Sequence, residues 1–177
     1  MPEERLTVTP GEWWSAVADA RGRGYVFFDW LSAVDETDRE EDPGLDVLCH
    51  LIDPHPGPGR DLHSLLLRTR SPLGEALPSV TGLFAGAAWH ERETHEMFGQ
   101  DFVGFDDGTG LGLRPLLLPD GFEGTPLRKS FVLAARATRP WPGGKDPGEG
   151  TGSKKSPSRR RVSAPGVPGP EWGPRDP

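Results

Sequence analysis

The composition of the C-terminal segment constrains the fold most, because it removes that segment from any hydrophobic core. Residues 139–177 hold 17 glycines and prolines and only five apolar residues, in a chain of 177 residues. A segment with so few apolar side chains buries too little surface to offset the conformational entropy lost on folding. We therefore predict one domain over residues 1–135 and a disordered, basic, Pro/Gly-rich tail over residues 136–177.

The charge divides at nearly the same position. Residues 1–135 carry 11 Lys/Arg and 23 Asp/Glu, a net charge of −12, whereas residues 136–177 carry nine and four, a net charge of +5. An acidic domain argues against nucleic acid as a partner, because phosphate affinity comes from clustered cations. The tail cations (Lys154, Lys155 and residues 159–161) leave contact with RNA, anionic lipid or an acidic protein open, although a solvated tail is the plainer interpretation.

Cys49 is the sole cysteine, which excludes a disulfide, four-cysteine zinc and ordinary iron–sulfur ligation within this chain. Its place inside an apolar strand favours an inert core thiol. The longest apolar stretch, near residues 83–89, is far shorter than the ~20 residues of a membrane-spanning helix. The charged start lacks the apolar segment of a signal peptide. We therefore expect a soluble chain on the cytoplasmic side.

Capping residues and apolar periodicity predict the elements of an α+β domain. A helix over residues 9–20 is expected to begin with Thr9 as N-cap, Pro10 at N1 and Glu12 closing a capping box. Strands are expected over residues 25–31, 45–52 and 62–70, the last two as an antiparallel hairpin. A second helix is expected over residues 83–98, capped by Thr81 and ended by Gly99.

The order of these elements defines the fold class. Strands and helices do not alternate regularly, so a doubly wound parallel sheet is excluded. The prediction is a two-layer α+β domain with a small mixed or antiparallel sheet and two main helices. An extended ribbon over about residues 100–135 follows the second helix.

The second helix carries the densest polar cluster, which superficially resembles the helix of a zinc protease. That helix needs histidines at i and i+4, whereas His90 and His95 are five residues apart, or about 140° around the helix. Glu91 and His95 have the spacing of two metal ligands, so a metal-dependent hydrolase stays open as an alternative. The sequence marks no obvious third ligand. His50, His55 and His63 are interpreted as surface or core residues.

The segment over residues 111–131 combines prolines that fix φ, glycines that allow tight turns, and cations on an apolar background. Its cations are Arg114, Arg128 and Lys129, and the run of leucines at residues 116–118 is expected to be buried. A segment with little regular structure holds its shape best against another surface. The pattern therefore indicates a docking ribbon.

Three motifs resemble the C-subunit family of respiratory complex I, the NADH–quinone oxidoreductase, whose mitochondrial members are called iron–sulfur protein 3. They are PSVT at residues 78–81, WxERExxEMFG at residues 89–99 and LPDGFEGTPLRK at residues 118–129. The resemblance is strong over about residues 78–131 and weaker back to Tyr25. It implies a subunit interface formed by Glu91, Arg92, Glu93, Glu96, Phe98, Gly99, Arg114, Pro119, Gly124, Pro126, Leu127, Arg128 and Lys129.

The resemblance also implies a structural subunit of the peripheral arm of a proton-pumping NADH–quinone oxidoreductase. No catalytic, cofactor-binding or metal-ligating residue is expected in this chain. Iron–sulfur clusters, flavin (FMN), NADH and quinone would belong to partner subunits, of which D and B are the expected neighbours and I a further candidate. The implied location is the cytoplasmic face of the cell membrane, with membrane contact only through the complex.

Two alternatives accompany that interpretation. Close relatives of the family serve energy-converting hydrogenases and formate hydrogenlyase, so an equivalent subunit there is the first. A stand-alone adaptor that uses the basic tail is the second. Several residues depart from the family pattern and indicate a divergent copy, which leaves the electron donor open: His95, Gln100, Pro115, Thr125 and Ser130.

Overall fold

The computed structural model describes residues 3–55, 57, 61–119 and 121–132. The predicted tail over residues 136–177, with its cluster of cations, lies outside the described residues. So does part of the predicted turn between the hairpin strands.

The described part of the chain contains six strands and two α-helices. Strand β1 (Glu3–Val8) leads through a 3-10 turn (Pro10–Glu12) into helix α1 (Trp13–Gly22). The next three strands build the sheet, and the remaining elements are short apart from the second helix. They are β2 (Phe27–Glu36), β3 (Gly44–Asp53), β4 (His63–Ser71), β5 (Leu77–Pro78), α2 (Ala87–Phe98) and β6 (Phe102–Val103).

The main sheet has the strand order β1-β4-β3-β2. Strand β3 runs antiparallel to both β2 and β4, while β1 runs parallel to β4. Strands β5 and β6 form a separate, two-residue parallel pair. The sheet is therefore mixed, and with two helices beside it the predicted α+β fold is confirmed.

The core lies between the helices and one face of the sheet. Strand β3 contributes Leu45, Val47, Cys49 and Leu51, whose alternate positions point to the same face. Helix α1 buries one stripe against them, with Trp13 fully buried. Burial raises the pKa of the Cys49 thiol, so the thiol stays protonated near neutral pH, as an inert core thiol would.

The predicted element boundaries need correction at both helices. The Thr9 N–H and hydroxyl do donate to the Glu12 carboxylate, at 3.1 and 2.7 Å, but this capping box closes a 3-10 turn and the α-helix starts only at Trp13. Helix α2 starts at Ala87 instead of residue 83, because turns occupy the preceding residues. The prediction of Thr81 as its cap was wrong, since the Thr81 hydroxyl is buried beside Ser79.

Two other predictions miss parts of the fold. Strand β1 was not predicted, because its exposed charged residues hide the alternation that marks a strand. The leucines at residues 116–118 were expected to be buried, yet Leu117 is 60% exposed and its neighbours are half-buried. Among the described helices, none has the length and apolar character needed to cross a membrane.

Candidate subunit interface

Helix α2 fixes the first part of the ribbon, taken here as the described residues 104–119 and 121–132. Arg92 donates from Nε and Nη2 to the carbonyl oxygens of Arg114 and Pro115, at 3.1 and 2.6 Å. Its guanidinium also lies 5.7 Å from the centre of the Trp89 ring. Because Arg92 is only 7% exposed, these charge-assisted hydrogen bonds are shielded from water and correspondingly strong.

Glu96, one turn further along α2, binds the next stretch of backbone. Its carboxylate accepts three successive N–H groups, from Leu116 at 3.2 Å and from Leu117 and Leu118 at 2.8 Å each. Burial opposes ionisation of this carboxyl, but the three N–H donors and the charge of Arg92 outweigh it and lower the pKa of Glu96. Arg92 and Glu96 together satisfy backbone groups that would pair along a strand in a sheet.

The C-terminal end of α2 is bound by the later part of the ribbon. Gly99 ends the helix in the left-handed conformation with φ 76°, as predicted. The last carbonyl groups of a helix lack partners inside it. Here the Leu127 N–H donates to the Met97 carbonyl at 3.1 Å, and Arg128 Nη1 donates to the Phe98 carbonyl at 2.9 Å. The ribbon therefore caps the helix from which it emerges.

Asp35, near the end of β2, ties the ribbon to the sheet. Its carboxylate accepts the Lys129 N–H at 2.7 Å and lies 3.7 Å from Arg128 Nε. Burial opposes ionisation, but hydrogen bonds from Thr37 and Lys129 and the charge of Arg128 lower the pKa of Asp35. The Lys129 ammonium pairs with Asp38 at 2.7 Å in an exposed contact.

Glu91 faces the opposite way, into the domain. It is fully buried, and its carboxylate accepts the Ser79 hydroxyl and the Val80 N–H, both at 2.7 Å. Burial without a cation raises the pKa of Glu91 to about 7. The Ser79 hydroxyl is 2.8 Å from that of Thr81, which in turn accepts the Asp106 N–H at 3.2 Å. Glu91 thus joins two of the sequence motifs from inside the domain.

Arg114 is engaged within its own loop. Its guanidinium pairs with the Asp107 carboxylate and also reaches the Thr109 hydroxyl. Hydrogen bonds from Thr109 and Arg114 hold the pKa of Asp107 well below its usual range. The cation that the sequence placed on a docking surface is therefore already neutralised by a neighbour.

Two clefts border α2. A cleft of about 460 Å³ lies between the helix and the loop over residues 106–114, lined among others by Trp89, Arg92 and Thr109. A smaller one of about 260 Å³ lies between the end of α2 and the ribbon, beside His95, Leu118 and others. Both are open surface grooves whose linings mix apolar and polar groups.

The structure does not bring Glu91 and His95 together as metal ligands. The Glu91 carboxylate is occupied by Ser79 and Val80, whereas His95 Nδ1 lies 3.0 Å from the Asp101 carboxylate. Across the ranges that the structure describes, no group of three or more His, Cys, Asp or Glu side chains is arranged to hold a metal ion. Glu91 and His95 thus have the helical spacing of two metal ligands, but their side chains bind different partners.

The predicted signature residues fall into two sets. One set shapes the ribbon and the end of α2 through contacts within the chain: Glu91, Arg92, Glu96, Phe98, Gly99, Arg114 and Arg128. The other faces solvent in the described structure, with Pro126 half-buried beside it: Glu93, Pro119, Gly124, Leu127 and Lys129. The signature is therefore partly an internal scaffold, which the sequence alone did not separate from a surface.

Sequence reasoning missed Asp35, which accepts the Lys129 N–H, and did not single out Ser79 within the PSVT motif as the residue that donates to Glu91. A signal for Asp35 was present, because it follows Leu31 and Ala33 at the alternate positions of β2 that face the core. A carboxylate at a core position needs donors, and the structure supplies them from the ribbon. Ser79 belongs to the PSVT motif, but no spacing or pattern in the sequence marked it as the partner of Glu91.

Solved structures with the same fold support this architecture. The chain is similar to the trypsin-resistant fragment (1-134) of Nqo5, with 25% identity, a TM-score of 0.52 and coverage of 59% of this chain and 82% of that one. It shares its fold with a chain of the membrane-bound sulfane sulfur reductase, an archaeal respiratory membrane complex, with 20% identity, a TM-score of 0.61 and coverage of 76% and 74%.

Curated relatives carry consistent names. The chain is 36% identical over 110 residues to the C subunit of NADH-quinone oxidoreductase from Sinorhizobium medicae (strain WSM419), covering 62% of this chain and 49% of the relative. It is 47% identical over 73 residues to a probable mitochondrial NADH-ubiquinone oxidoreductase 30.4 kDa subunit of Candida maltosa, covering 40% and 25%. The chain thus spans about half the length, or less, of these relatives.

A sequence model of one family covers most of the chain. It is the family described as the respiratory-chain NADH dehydrogenase, 30 Kd subunit, and it matches residues 6–137. That range includes every contact between α2, the ribbon and β2 described above. The chain belongs to the 30 Kd subunit family of the respiratory-chain NADH dehydrogenase, which is the C-subunit family of complex I.

Proposed function

We propose that this chain is a non-catalytic, structural subunit of the peripheral arm of a proton-pumping NADH–quinone oxidoreductase. The observation that carries the proposal is the family match over residues 6–137. In this role the chain supports electron transfer from NADH to quinone by packing on subunits D and B. The iron–sulfur clusters, FMN, NADH and quinone belong to partner subunits, and the chain meets the cytoplasmic face of the membrane only through the complex.

The geometry of the ribbon supports docking. Leu117 and Leu127 have their N–H groups fixed by Glu96 and by the Met97 carbonyl, while their side chains are 60% and 55% exposed. Apolar side chains on a backbone that is already ordered lose little entropy when a partner covers them. These two leucines are therefore better placed than flexible side chains to anchor a neighbouring subunit.

The cations of the ribbon are less suited to that role than their sequence pattern indicates. Arg128 is bound to the Phe98 carbonyl, and Arg114 is paired with Asp107. A partner would need to compete with these contacts or leave them in place. Docking therefore rests mainly on apolar side chains, and Arg114 and Arg128 shape the ribbon.

Affinity purification from native membranes tests the proposal. The tagged full-length chain should retain subunits B and D together with the NADH-binding subunits, as identified by mass spectrometry. The double variant Leu117→Asp/Leu127→Asp should lose B and D at least about tenfold, equivalent to about 1.4 kcal/mol of binding free energy. Leu62→Asp is the matched control, because Leu62 is 48% exposed at the opposite end of the sheet from Asp35; it should retain both subunits.

The outcomes separate the parts of the proposal. Recovery of the wild-type chain alone would contradict the subunit role. Full retention of B and D by the double variant, with wild-type circular dichroism, would show that the ribbon is not the docking surface. Recovery of B and D with a different electron-input module would keep the architecture and replace NADH as the donor.

A further inference from the structure

The face of the main sheet that points away from the helices, called here the outer face, carries a set of apolar side chains among polar ones. Strand register places Phe27 directly opposite Ile52 and the others diagonally next to one another on β2, β3 and β4. Phe27 and Val34 are exposed, and the others are half-buried. The full set is Phe27, Trp30, Val34, Leu48, Ile52 and Leu66.

The described elements pack on the opposite face. The buried residues of α1 and α2 join the core cluster with Val47 and Leu67, which alternate with the outer-face residues along their strands. The ribbon reaches the sheet through Asp35, which is also on the core side. An antiparallel sheet with one face in water normally carries polar residues there, and a contiguous apolar patch marks a surface that another molecule covers.

The part of the outer face around Arg68 carries a local surplus of positive charge. The Asp46 carboxylate is shared by Arg68 and Arg70, each at 2.6 Å, so two cations meet one anion. Arg68 lies opposite Leu48 in the register, and its side chain is 41% exposed. Two other carboxylates of this face pair with arginines in the described structure, Glu3 with Arg5 and Glu36 with Arg39. The Asp29 carboxylate lies 2.8 Å from His50 Nδ1.

We propose that the outer face docks a segment of a neighbouring subunit whose apolar side chains cover Trp30, Val34 and Leu48 and whose carboxylate pairs with Arg68. The apolar side chains supply contact area. Because Arg68 shares the Asp46 carboxylate with Arg70, Arg68 can bind a second carboxylate. This interface lies on the sheet, separate from the ribbon and α2. It rests on the proposed function, because a subunit within a larger complex has such neighbours.

Charge favours a segment of a neighbouring subunit over two other occupants, the C-terminal tail and a second copy of this chain. Residues 136–177 of the same chain carry a net charge of +5, so they would bring like charge to Arg68. A second copy docking by a two-fold axis would place the same surface on itself, and the carboxylates of that surface already have partners in their own chain. A partner segment with a carboxylate satisfies both the apolar side chains and Arg68.

A photo-crosslinking residue at Ser32, which lies between Trp30 and Val34 on the outer face, tests the proposal. The tagged full-length chain is irradiated in native membranes and the crosslinked peptide is identified by mass spectrometry. We expect one partner-subunit peptide that contains apolar residues and a carboxylate. Arg68→Glu should lower the crosslink yield at least fivefold, and changing that partner carboxylate to Lys should restore it. Arg21→Glu, at an exposed position on α1 at the other face of the sheet, is the matched control and should leave the yield unchanged.

Four results would overturn this inference. A crosslink to residues 136–177 or to a second copy would replace the occupant, and an unchanged yield with Arg68→Glu would remove the charge pairing. Absence of any Ser32 crosslink while B and D are still retained would refute the outer-face interface and leave the proposed function intact. If the wild-type chain retains no partner subunit at all, the proposed function fails and this inference fails with it.

Discussion

The β3–β4 hairpin and the ribbon are both ordered, but by different means. The hairpin pairs residue by residue from Leu45 opposite Ser71 to Asp53 opposite His63, and Leu51, Leu65 and Leu67 are fully buried. The ribbon has no strand within its described residues, and its order depends on a few side chains of other elements. The hairpin is specified by its own alternating pattern, whereas the ribbon takes its shape from α2 and β2.

The two regions should therefore fail differently. Many small apolar contacts stabilise the hairpin, so its loss is the loss of the domain. The ribbon depends on a small number of polar contacts with α2 and β2, so it can open locally while the domain stays folded. The predictions below separate these two behaviours.

The largest effect is expected from Leu67→Ala in the hairpin. Leu67 is fully buried, and removing a buried leucine side chain costs about 2–5 kcal/mol through lost transfer energy and the cavity left behind. Urea unfolding of the full-length chain measures this loss. Leu66→Ala on the outer face of the same strand is the matched control and should cost clearly less; equal losses would show that both faces are buried.

The next effect concerns the pH dependence of stability. The pKa of Glu91 is about 7 in the folded domain, against an ordinary value of 4.5, so the folded state binds more protons between these two pH values. The stability contributed by this carboxyl is full below pH 4.5 and is lost as the pH rises to 7 and above, by about 3 kcal/mol. The Cys49 thiol, which faces Glu91, has a raised pKa and stays neutral throughout this range.

Glu91→Gln should remove that dependence. The amide can still accept the Val80 N–H and can donate to the Ser79 hydroxyl oxygen, so the packing is retained. Unfolding free energies of the variant minus those of the wild type should rise between pH 4.5 and 7. Glu93→Gln, at an exposed position on the same helix, should show a flat difference. A flat difference for both variants would mean that Glu91 ionises as it does in the unfolded chain.

Glu96→Ala tests the ribbon. Its carboxylate accepts three N–H groups, so its removal should cost about 1–3 kcal/mol and should appear locally. Hydrogen exchange at the amides of residues 116–118 should quicken while amides of the hairpin stay protected. Because the pKa of Glu96 is lowered in the folded domain, its contribution to the free energy of unfolding is present above pH 4.5 and decreases as the pH falls. Glu93→Ala is the control, and matching exchange in both variants would contradict the role of Glu96.

The sequence predicted the elements that carry their own pattern. Strand β4 was expected over residues 62–70 and spans His63–Ser71, because the alternation of buried leucines is visible in the chain. The end of α2 was predicted correctly, because Gly99 provides the left-handed residue that a helix end requires. In both cases the determining signal is local.

The contacts that shape the ribbon leave no such signal. Lys129 meets Asp35 across 94 residues, and Arg128 meets the Phe98 carbonyl across 30. From the sequence alone, a cation that binds a carbonyl oxygen cannot be distinguished from a cation that faces solvent. The sequence pattern therefore assigns Arg128 and Lys129 alike to a docking ribbon, although the structure gives them different surroundings.

The smallest effect on stability sharpens that last distinction. Arg128 is mostly buried and donates to the Phe98 carbonyl, so Arg128→Ala should lower the unfolding free energy by about 1 kcal/mol. Lys129 pairs with Asp38 in solvent, where such pairs add little, so Lys129→Ala should leave the melting temperature unchanged.

Retention of subunits B and D, measured beside thermal unfolding, then shows what each side chain does. If Arg128→Ala weakens assembly it should do so together with stability, because it loosens the ribbon, whereas any loss of assembly in Lys129→Ala would come from a direct contact with a partner. A stable Arg128→Ala variant that still loses B and D would reverse this assignment and return the arginine to the interface.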